Sequence, residues 1–264
     1  MTKPQPPNRP TPRPSPAVRL YRSVAELLGR RKKRSSDPGT TSERTRPVAP
    51  TKSETALLQP FPGLPSERIH VPKTKAECDA AAKDIFAAGV AGFDTEAKPT
   101  FKVGEKSGGP HVVQFALSDK AFIFQLHRRD CLMLVADLIA SKRVLKVGFG
   151  LKNDHGQIRN RLGVELTSVL DLDHVFRKRG YRSQIGVRGA MGAILNLSFP
   201  KSKTTTTSNW AAKELTQRQL RYAANDAFAA LKIMEALNLN PAELSGNRPQ
   251  QGKGNMGWTR ILGQ

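Results

Sequence analysis

The stretch VAGFDTEA, residues 90–97, begins as an apolar strand and ends in two carboxylates. Side chains alternate along a strand, so Asp94 and Glu96 point to the same face of the sheet. Two carboxylates this close repel each other unless a proton or a cation lies between them. The Asp-x-Glu pattern is also typical of a solvated strand end, so on its own it leaves both interpretations open.

The sequence on either side of this stretch predicts an α/β domain. A helix is predicted over 76–89, and apolar runs with short connections predict strands over 111–118 and 121–126. Farther along, helices alternate with strands up to a long helix over 214–237. Three strands with short links, followed by this alternation, indicate a mixed sheet flanked by helices. The other predicted elements are helices over 131–141, 151–163 and 185–196, a strand over 143–150, and a strand that turns helical over 168–176.

Composition divides the chain into three parts. Residues 1–65 are rich in Pro, Arg, Ser and Thr, so we expect a disordered basic tail there. A folded domain is expected over 66–240, and a flexible tail over 241–264. Within the first part, residues 17–34 place apolar side chains at helical spacing before a basic run. That pattern indicates either a short basic amphipathic helix or a solvated segment.

The charge of the chain favours polyanionic partners. The formal net charge is +21 and the pI is near 10.5. An excess of this size attracts nucleic acid first and an anionic membrane surface second. A basic surface that only keeps the protein soluble is the alternative interpretation.

Cysteine usage and hydropathy indicate the compartment. Cys78 and Cys131 lie far apart without CxxC spacing, so they predict neither a zinc site nor a disulfide framework. No apolar run is long enough to cross a bilayer, and the first residues lack the apolar segment of a secretory signal. We therefore expect a cytoplasmic location, or a nuclear one in a eukaryote, and no membrane partner.

A second acidic residue follows another predicted strand. In VGFGLKNDHG, residues 147–156, the apolar strand runs through glycines into a helix whose first turn carries Asp154. Open α/β sheets tend to bind ligands at the carboxyl ends of their strands. An acidic residue in the first turn of a helix also complements the helix dipole, and this is the alternative role of Asp154.

The last predicted helix carries a tyrosine and an aspartate on the same face. Tyr222 and Asp226 are separated by four positions, so they are neighbours on the helix surface. The rest of that arc is apolar, and a buried carboxylate without a partner is very costly. The partner of Asp226 is either a Lys or Arg in a salt bridge or a metal ion shared with Asp94 and Glu96.

Taken together, these segments resemble the DEDDy 3′→5′ exonucleases, the group that includes ribonuclease D and the Werner-type exonuclease domain. The resemblance covers about residues 68–237, and the motifs occur in the expected order. The matching segments are GFDTEAKP (92–99), KVGFGLKNDHGQI (146–158), LRYAANDAFAALKI (220–233) and the lead-in SNWAAKELTQRQLRYAANDA (208–227).

The resemblance implies a ribonuclease-H-like fold and a two-metal site. Asp94, Glu96 and Asp226 would hold one Mg²⁺, and Asp94 would also reach a second, with Asp154 supporting it directly or through water. Mn²⁺ is expected to substitute for Mg²⁺. Tyr222 would orient the attacking water, and the enzyme would release nucleoside 5′-monophosphates from single-stranded or 3′-ended DNA or RNA.

Two other functions fit the same fold. One is a catalytically inactive protein that binds nucleic acid or acts as a scaffold, although the presence of all four acids and the tyrosine argues against it. The other is an endonuclease or transferase that keeps the metal site. The choice between RNA and DNA, and the oligomeric state, stay open at this point.

Several residues near the motifs are weaker candidates. Phe93 and Phe149 either stack on terminal bases or pack in the core, and Trp210 either touches substrate or holds a loop onto the last helix. The basic, hydroxyl-rich segment 201–209 either binds phosphate oxygens or forms a solvated loop. An entry path lined by Lys98, Lys102 and Lys106 is also expected. Asp171 and Asp173 stay without an assigned role, since helix capping is enough to explain either.

Overall fold

A six-stranded mixed sheet forms the centre of the protein in the computed structural model, which describes residues 46–100, 104 and 108–239. The strand order is β1-β4-β3-β2-β5-β6. The β2, β3 and β4 strands pair antiparallel, whereas β5 and β6 extend the sheet in parallel from β2, and β1 pairs in parallel with β4. The strands are β1 (Ile69–His70), β2 (Val90–Glu96), β3 (Val112–Ala116), β4 (Ala121–Gln125), β5 (Leu145–Gly148) and β6 (Val169–Asp171).

Helices cover both faces of this sheet, so the predicted α/β architecture is confirmed. The longest is α8, with 20 residues. Among the residues that the structure describes, no helix combines the length and apolar character needed to span a bilayer. The helices are α1 (Lys52–Ala56), α2 (Lys75–Ala88), α3 (Arg129–Ala140), α4 (Lys152–Leu162), α5 (Leu172–Lys178), α6 (Gly186–Leu195), α7 (Lys203–Thr206) and α8 (Gln217–Ala236).

Local capping signals explain where the main helices begin and end. Thr74 and Glu77 form a capping box at the start of α2, and Gly89 ends that helix with a φ of 67°. The last helix begins three residues later than its predicted start at 214, because Thr216 and Gln219 form its capping box. These side chains satisfy backbone amides that the first turn of a helix leaves free.

Alternation along the strands separates two cores. On one face of the sheet, Phe93 and Phe115 pack beneath α2 and α3, with ring centroids 5.2 Å apart. On the other face, Val112 and Ile123 contact the alanine-rich side of α8. Since β2 faces α8 with Gly92 and Asp94, the acidic end of that strand lies against the last helix.

Part of the expected N-terminal tail is packed against the domain. Within residues 46–65, the ring of Phe61 lies 5.9 Å from the ring of Phe199 and 5.8 Å from that of Phe228. The folded part therefore begins earlier than we expected, because a few apolar side chains anchor a segment of otherwise polar composition. The other expectations for the tails, the helix over 17–34 and the flexible end over 241–264 included, concern residues outside the described ranges.

The sequence predicted no disulfide, and this prediction is wrong. Cys78 of α2 and Cys131 of α3 form a disulfide, with Cα atoms 5.6 Å apart. They are separated by 53 positions along the chain. Cysteine spacing alone did not indicate the pair, because the packing of α2 against α3 brings the two side chains together.

Candidate active site

Three of the four predicted acids converge where the end of β2 meets α8. One carboxylate oxygen from each of Asp94, Glu96 and Asp226 lies within 4.8 Å of the others. Gly92 makes this approach possible, since a Cβ at that position would lie 1.9 Å from the carbonyl oxygen of Ala227. The backbone of α8 thus reaches the strand, and Asp226 is brought next to Asp94.

Burial raises the pKa of all three carboxyl groups, and repulsion by neighbouring acids adds to it for Asp94 and Glu96. Burial is the larger cause for Asp94, and the charges of Asp226 and Asp154 add to it, so its pKa lies well above the ordinary value. Burial, and then the charge of Asp94, raise the pKa of Glu96 to about 9. Asp226 is 6% exposed, and burial raises its pKa as well. A cluster of this kind gains stability from any cation that enters it.

The donor set fits a hard divalent cation. All three groups offer carboxylate oxygens, which are the ligands that Mg²⁺, Mn²⁺ and Ca²⁺ prefer. The Oδ1 atom of Asp226 is buried and has no hydrogen-bond partner among the described residues. A buried oxygen without a partner is costly, so this atom is suited to receive a ligand.

Asp154 lies beside the cluster rather than within it. It sits in the first turn of α4 and accepts a short hydrogen bond from the hydroxyl of Thr95. Thr95 points away from the face of β2 that carries Asp94 and Glu96. Asp154 is close enough to Asp94 to raise its pKa, and burial raises the pKa of Asp154 itself. It is not one of the three acids whose oxygens lie within 4.8 Å of one another.

Tyr222 projects from α8 next to Asp226. Its hydroxyl lies 2.9 Å from the hydroxyl of Thr206 in α7, and its ring packs 5.9 Å from the ring of Trp210. Burial and then the charge of Asp226 raise the pKa of Tyr222 to about 12. The phenol is therefore neutral at pH 7, which suits a group that positions a water molecule and does not suit a general base.

Lys201 is the residue that the sequence did not single out. Its Nζ atom lies 3.1 Å from Oδ2 of Asp226 and 5.8 Å from the centre of the Tyr222 ring. Burial lowers the pKa of Lys201, but the negative charges of Asp226 and Asp94 outweigh burial and raise that pKa. The sequence did indicate that Asp226 requires a partner, and a salt bridge to a Lys or Arg was one of the two options. What the sequence lacked was a way to connect that need with the basic segment 201–209.

The weaker aromatic candidates have packing roles. Phe93 is fully buried in the core, and Phe149 stacks on Phe176 with ring centroids 6.4 Å apart. Trp210 is 1% exposed and donates a hydrogen bond from its indole nitrogen to the carbonyl of Thr206. Of the two options for each residue, packing is the one that the contacts support.

Each of the later aspartates accepts a hydrogen bond from an amide in the first turn of a helix, whereas the proposed entry path is only partly described. Asp171 accepts a hydrogen bond from the amide of Asp173, and Asp173 accepts one from the amide of Gly186. Lys98 is exposed after the end of β2. Lys102 and Lys106 lie outside the described ranges.

Comparison with known proteins identifies the family. Residues 69–240 match the family model of the 3′-5′ exonuclease domain. This match covers more than half of the chain, so the chain belongs to the 3′-5′ exonuclease family. The predicted family is confirmed, together with the class of enzyme, a hydrolase of phosphodiester bonds.

Three similar proteins illustrate the match. The chain is 28% identical over 169 residues to the bifunctional 3′-5′ exonuclease/ATP-dependent helicase WRN of Mus musculus. This match covers 61% of this chain and 12% of that protein. The Nibbler EXO domain of Aedes aegypti has a TM-score of 0.58 at 23% identity, over 69% of this chain and 95% of that chain. Trypanosoma brucei RNase D in complex with RNA U12 has a TM-score of 0.57 at 21% identity, over 66% of this chain and 65% of that chain. Both structural likenesses show the fold.

Proposed function

We propose that this protein is a 3′-5′ exonuclease that hydrolyses nucleic acid from the 3′ end and releases nucleoside 5′-monophosphates. The observation that carries the proposal is the convergence of Asp94, Glu96 and Asp226 within 4.8 Å, in a chain of the 3′-5′ exonuclease family. A buried acidic cluster is costly to maintain. A scaffold without activity would gain nothing from it, whereas a metal-dependent hydrolase needs it.

Two Mg²⁺ ions are the proposed metals, with Mn²⁺ as a substitute. Asp94, Glu96 and Asp226 would hold one ion, and Asp94 would reach the second, with Asp154 supporting it directly or through water. When bound, such a pair of ions activates the attacking water and stabilises the leaving 3′ oxygen.

In the proposed reaction, the oxygen of a water molecule forms a bond to the terminal phosphorus, and the bond from that phosphorus to the 3′ oxygen of the remaining strand breaks. Tyr222 orients this water through its neutral hydroxyl, which Thr206 holds at 2.9 Å. The water loses a proton to solvent, and the leaving oxygen gains one. The products are a nucleoside 5′-monophosphate and a strand one nucleotide shorter with a 3′ hydroxyl.

A cleft beside the acids supports a nucleic acid substrate. Its volume is about 200 Å³, and its lining includes two arginines and three aromatic side chains. Arginine pairs with phosphate oxygens, and aromatic rings contact bases. We propose a strand of DNA or RNA with a free 3′ end as the substrate, in the cytoplasm or nucleus, without a membrane partner. The residues of the cleft that carry the argument are Phe61, Phe199, Arg218, Arg221, Tyr222 and Asp226.

Digestion of 5′-end-labelled oligonucleotides tests this function. With purified protein and Mg²⁺ or Mn²⁺, we expect a ladder that shortens one nucleotide at a time from the 3′ end, and no cleavage in EDTA. Asp226→Asn is expected to lower the rate by about 10³-fold or more, because it removes a carboxylate that the metal requires. Asp137→Asn is a matched control, since Asp137 is exposed on α3, which packs on the face of the sheet opposite to α8.

The same assay separates the alternative functions. Internal cuts at early times would indicate an endonuclease. Binding of the oligonucleotide without any cleavage, in the presence of either metal, would indicate an inactive binding or scaffold protein. Matched RNA and DNA strands in parallel reactions give the substrate preference.

A further inference from the structure

We propose that Lys201 is the counter-ion of the acidic cluster, that it competes with the metal for the charge of Asp226, and that Lys201 thereby sets the affinity of the site for divalent cations. This inference depends on the proposed function, since it takes Asp94, Glu96 and Asp226 as the metal site. It assigns to Lys201 a positioning role that does not involve contact with the reacting atoms.

The contacts of Lys201 are those of a cation inside an anionic site. Its ammonium lies 3.1 Å from Oδ2 of Asp226, and the face of the Tyr222 ring lies 5.8 Å from it. The carboxylate that it binds has a side-chain exposure of 5%, the lowest of any acid in the ion pairs of the described residues. The other pairs are surface contacts, which contribute little to stability.

Lys201 can leave this position, whereas Asp226 cannot. The lysine side chain is 34% exposed, so its ammonium already borders on solvent. It lies on the segment between Phe199 and the start of α7 at Lys203, outside any helix or strand. Asp226 is fixed in the middle of α8. A side chain with a long flexible stem therefore faces an acid that cannot move, and only the lysine can make room.

Simple electrostatics makes the ammonium and the metal compete. Both cations would draw on the same carboxylate of Asp226, and two cations a few ångström apart repel each other strongly in a partly buried site. The ammonium contacts Oδ2 of Asp226, and Oδ1 has no hydrogen-bond partner among the described residues. A metal held by the free oxygen of Asp226 would lie within a few ångström of the ammonium, so its affinity is lower while Lys201 stays in place.

Calorimetric titration with Mn²⁺ tests the inference without any measurement of activity. We expect Lys201→Met to bind Mn²⁺ about tenfold more tightly than the unchanged protein, because the competing charge is gone. Lys201→Arg keeps the charge and is expected to stay within about threefold of the unchanged protein. Lys203→Met is the matched control, an exposed lysine two positions away, and its affinity for Mn²⁺ should not change.

Thermal unfolding provides a second measurement on the same variants. The rise in Tm on addition of Mn²⁺ is expected to be larger for Lys201→Met than for the unchanged protein. If Lys201 had only a structural role, its replacement would lower Tm by the same amount with and without Mn²⁺. Lys201→Gln serves as a second neutral variant should Lys201→Met fail to fold.

The outcomes separate this inference from the proposed function. Equal or weaker Mn²⁺ binding by both folded neutral variants would overturn the role of Lys201 and leave the exonuclease proposal standing. Failure of the unchanged protein to bind Mn²⁺ would overturn the metal site and both proposals with it. The same conclusion would follow if Asp226→Asn bound Mn²⁺ as tightly as the unchanged protein.

Discussion

Asp226 combines burial with two acidic neighbours, and this combination dominates the behaviour of the site at the scale of single residues. It is 6% exposed and shares the cluster with Asp94 and Glu96. Lys201 neutralises only part of the negative charge, because a single ammonium faces three carboxyl groups. Burial is the main reason that the pKa of each acid is raised, and repulsion adds to it for Asp94 and Glu96, so protons supply the remaining neutralisation when no metal is bound.

These pKa values predict that the stability of the metal-free protein depends on pH. The folded-state pKa of Glu96 is about 9 against an ordinary value of 4.5, so the folded protein keeps a proton that the unfolded chain loses. The stabilisation is fully present below pH 4.5 and is lost as the pH rises towards 9. In EDTA, we expect Tm to fall between about pH 6 and pH 8.5. Thermal scans at a series of pH values measure this.

Asp94→Asn should reduce that fall, because it removes the charge that acts most strongly on Glu96. Saturating Mn²⁺ should also reduce the fall in Tm of the unchanged protein, because the cation neutralises the negative charge around Glu96. Asp137→Asn, the exposed control, is expected to retain the full dependence. An identical pH dependence in Asp94→Asn and in the control would contradict the explanation.

Tyr222 provides a second prediction at this scale. Tyr222→Phe is expected to lower kcat by about 10²-fold with little change in KM, since it removes the hydroxyl that orients the water and leaves the acids in place. The pH profile of the unchanged enzyme should show no ionisation of Tyr222 below pH 9, because its pKa is about 12. Steady-state kinetics on a labelled oligonucleotide measure both effects. A rise in KM with unchanged kcat would instead assign Tyr222 to substrate binding.

At the scale of secondary structure, the contact between β2 and α8 brings the acids together. Gly92 lies two residues before Asp94, and its missing side chain lets the carbonyl of Ala227 approach the strand. The cluster therefore depends on a glycine that carries no chemistry of its own. A bulkier residue there would move α8, and with it Asp226, away from the end of β2.

Gly92→Ala tests this dependence. The added methyl group would lie 1.9 Å from the carbonyl oxygen of Ala227, so the helix or the strand must shift. We expect a loss of about 1–3 kcal/mol in the free energy of unfolding. Weaker Mn²⁺ binding should accompany it. Chemical denaturation and metal titration measure the two effects.

Gly156→Ala is the control for Gly92→Ala. Gly156 lies in α4, and a Cβ there would meet no heavy atom within 4 Å. This change should leave the protein as stable or stabilise it by roughly 0.5–1 kcal/mol, as expected for alanine in a helix. Equal effects of the two substitutions would show that the close approach at Gly92 does not matter.

At the scale of the whole molecule, the excess of positive charge adds an attraction for nucleic acid that is independent of the active site. The formal net charge of +21 includes many basic residues upstream of the packed segment that starts at residue 46. Each phosphate contact made by such residues releases counter-ions and steepens the salt dependence of binding. The N-terminal part of the chain is thus expected to contribute to affinity and not to catalysis.

Deletion of residues 1–45 tests this contribution. In the Asp226→Asn background, which prevents cleavage, we expect weaker binding to a labelled oligonucleotide and a shallower slope of log affinity against log salt. The truncation keeps the segment that contains Phe61, which packs against the domain. The Tm should therefore stay unchanged. An unaltered salt slope would show that the folded domain alone holds the phosphates.

The sequence by itself determined the short-range features of the site, because these depend on local periodicity. Alternation along β2 placed Asp94 and Glu96 on one face, and helical spacing placed Tyr222 beside Asp226. The mixed sheet and the bounds of most elements followed from the same periodicity, with differences of a few residues where a cap such as Thr216 defines the start of a helix. The combination of motifs then predicted the family.

Only the tertiary structure decided which remote segments meet. Three contacts join positions whose distance along the chain says nothing about their distance in space. They are the ion pair of Lys201 with Asp226, the hydrogen bond from Thr95 to Asp154, and the packing of Phe61 on Phe199. Each contact depends on how closely two elements pack, and that is decided by the shapes of many side chains together. The close approach at Gly92 shows why: a single missing methyl group determines where α8 lies.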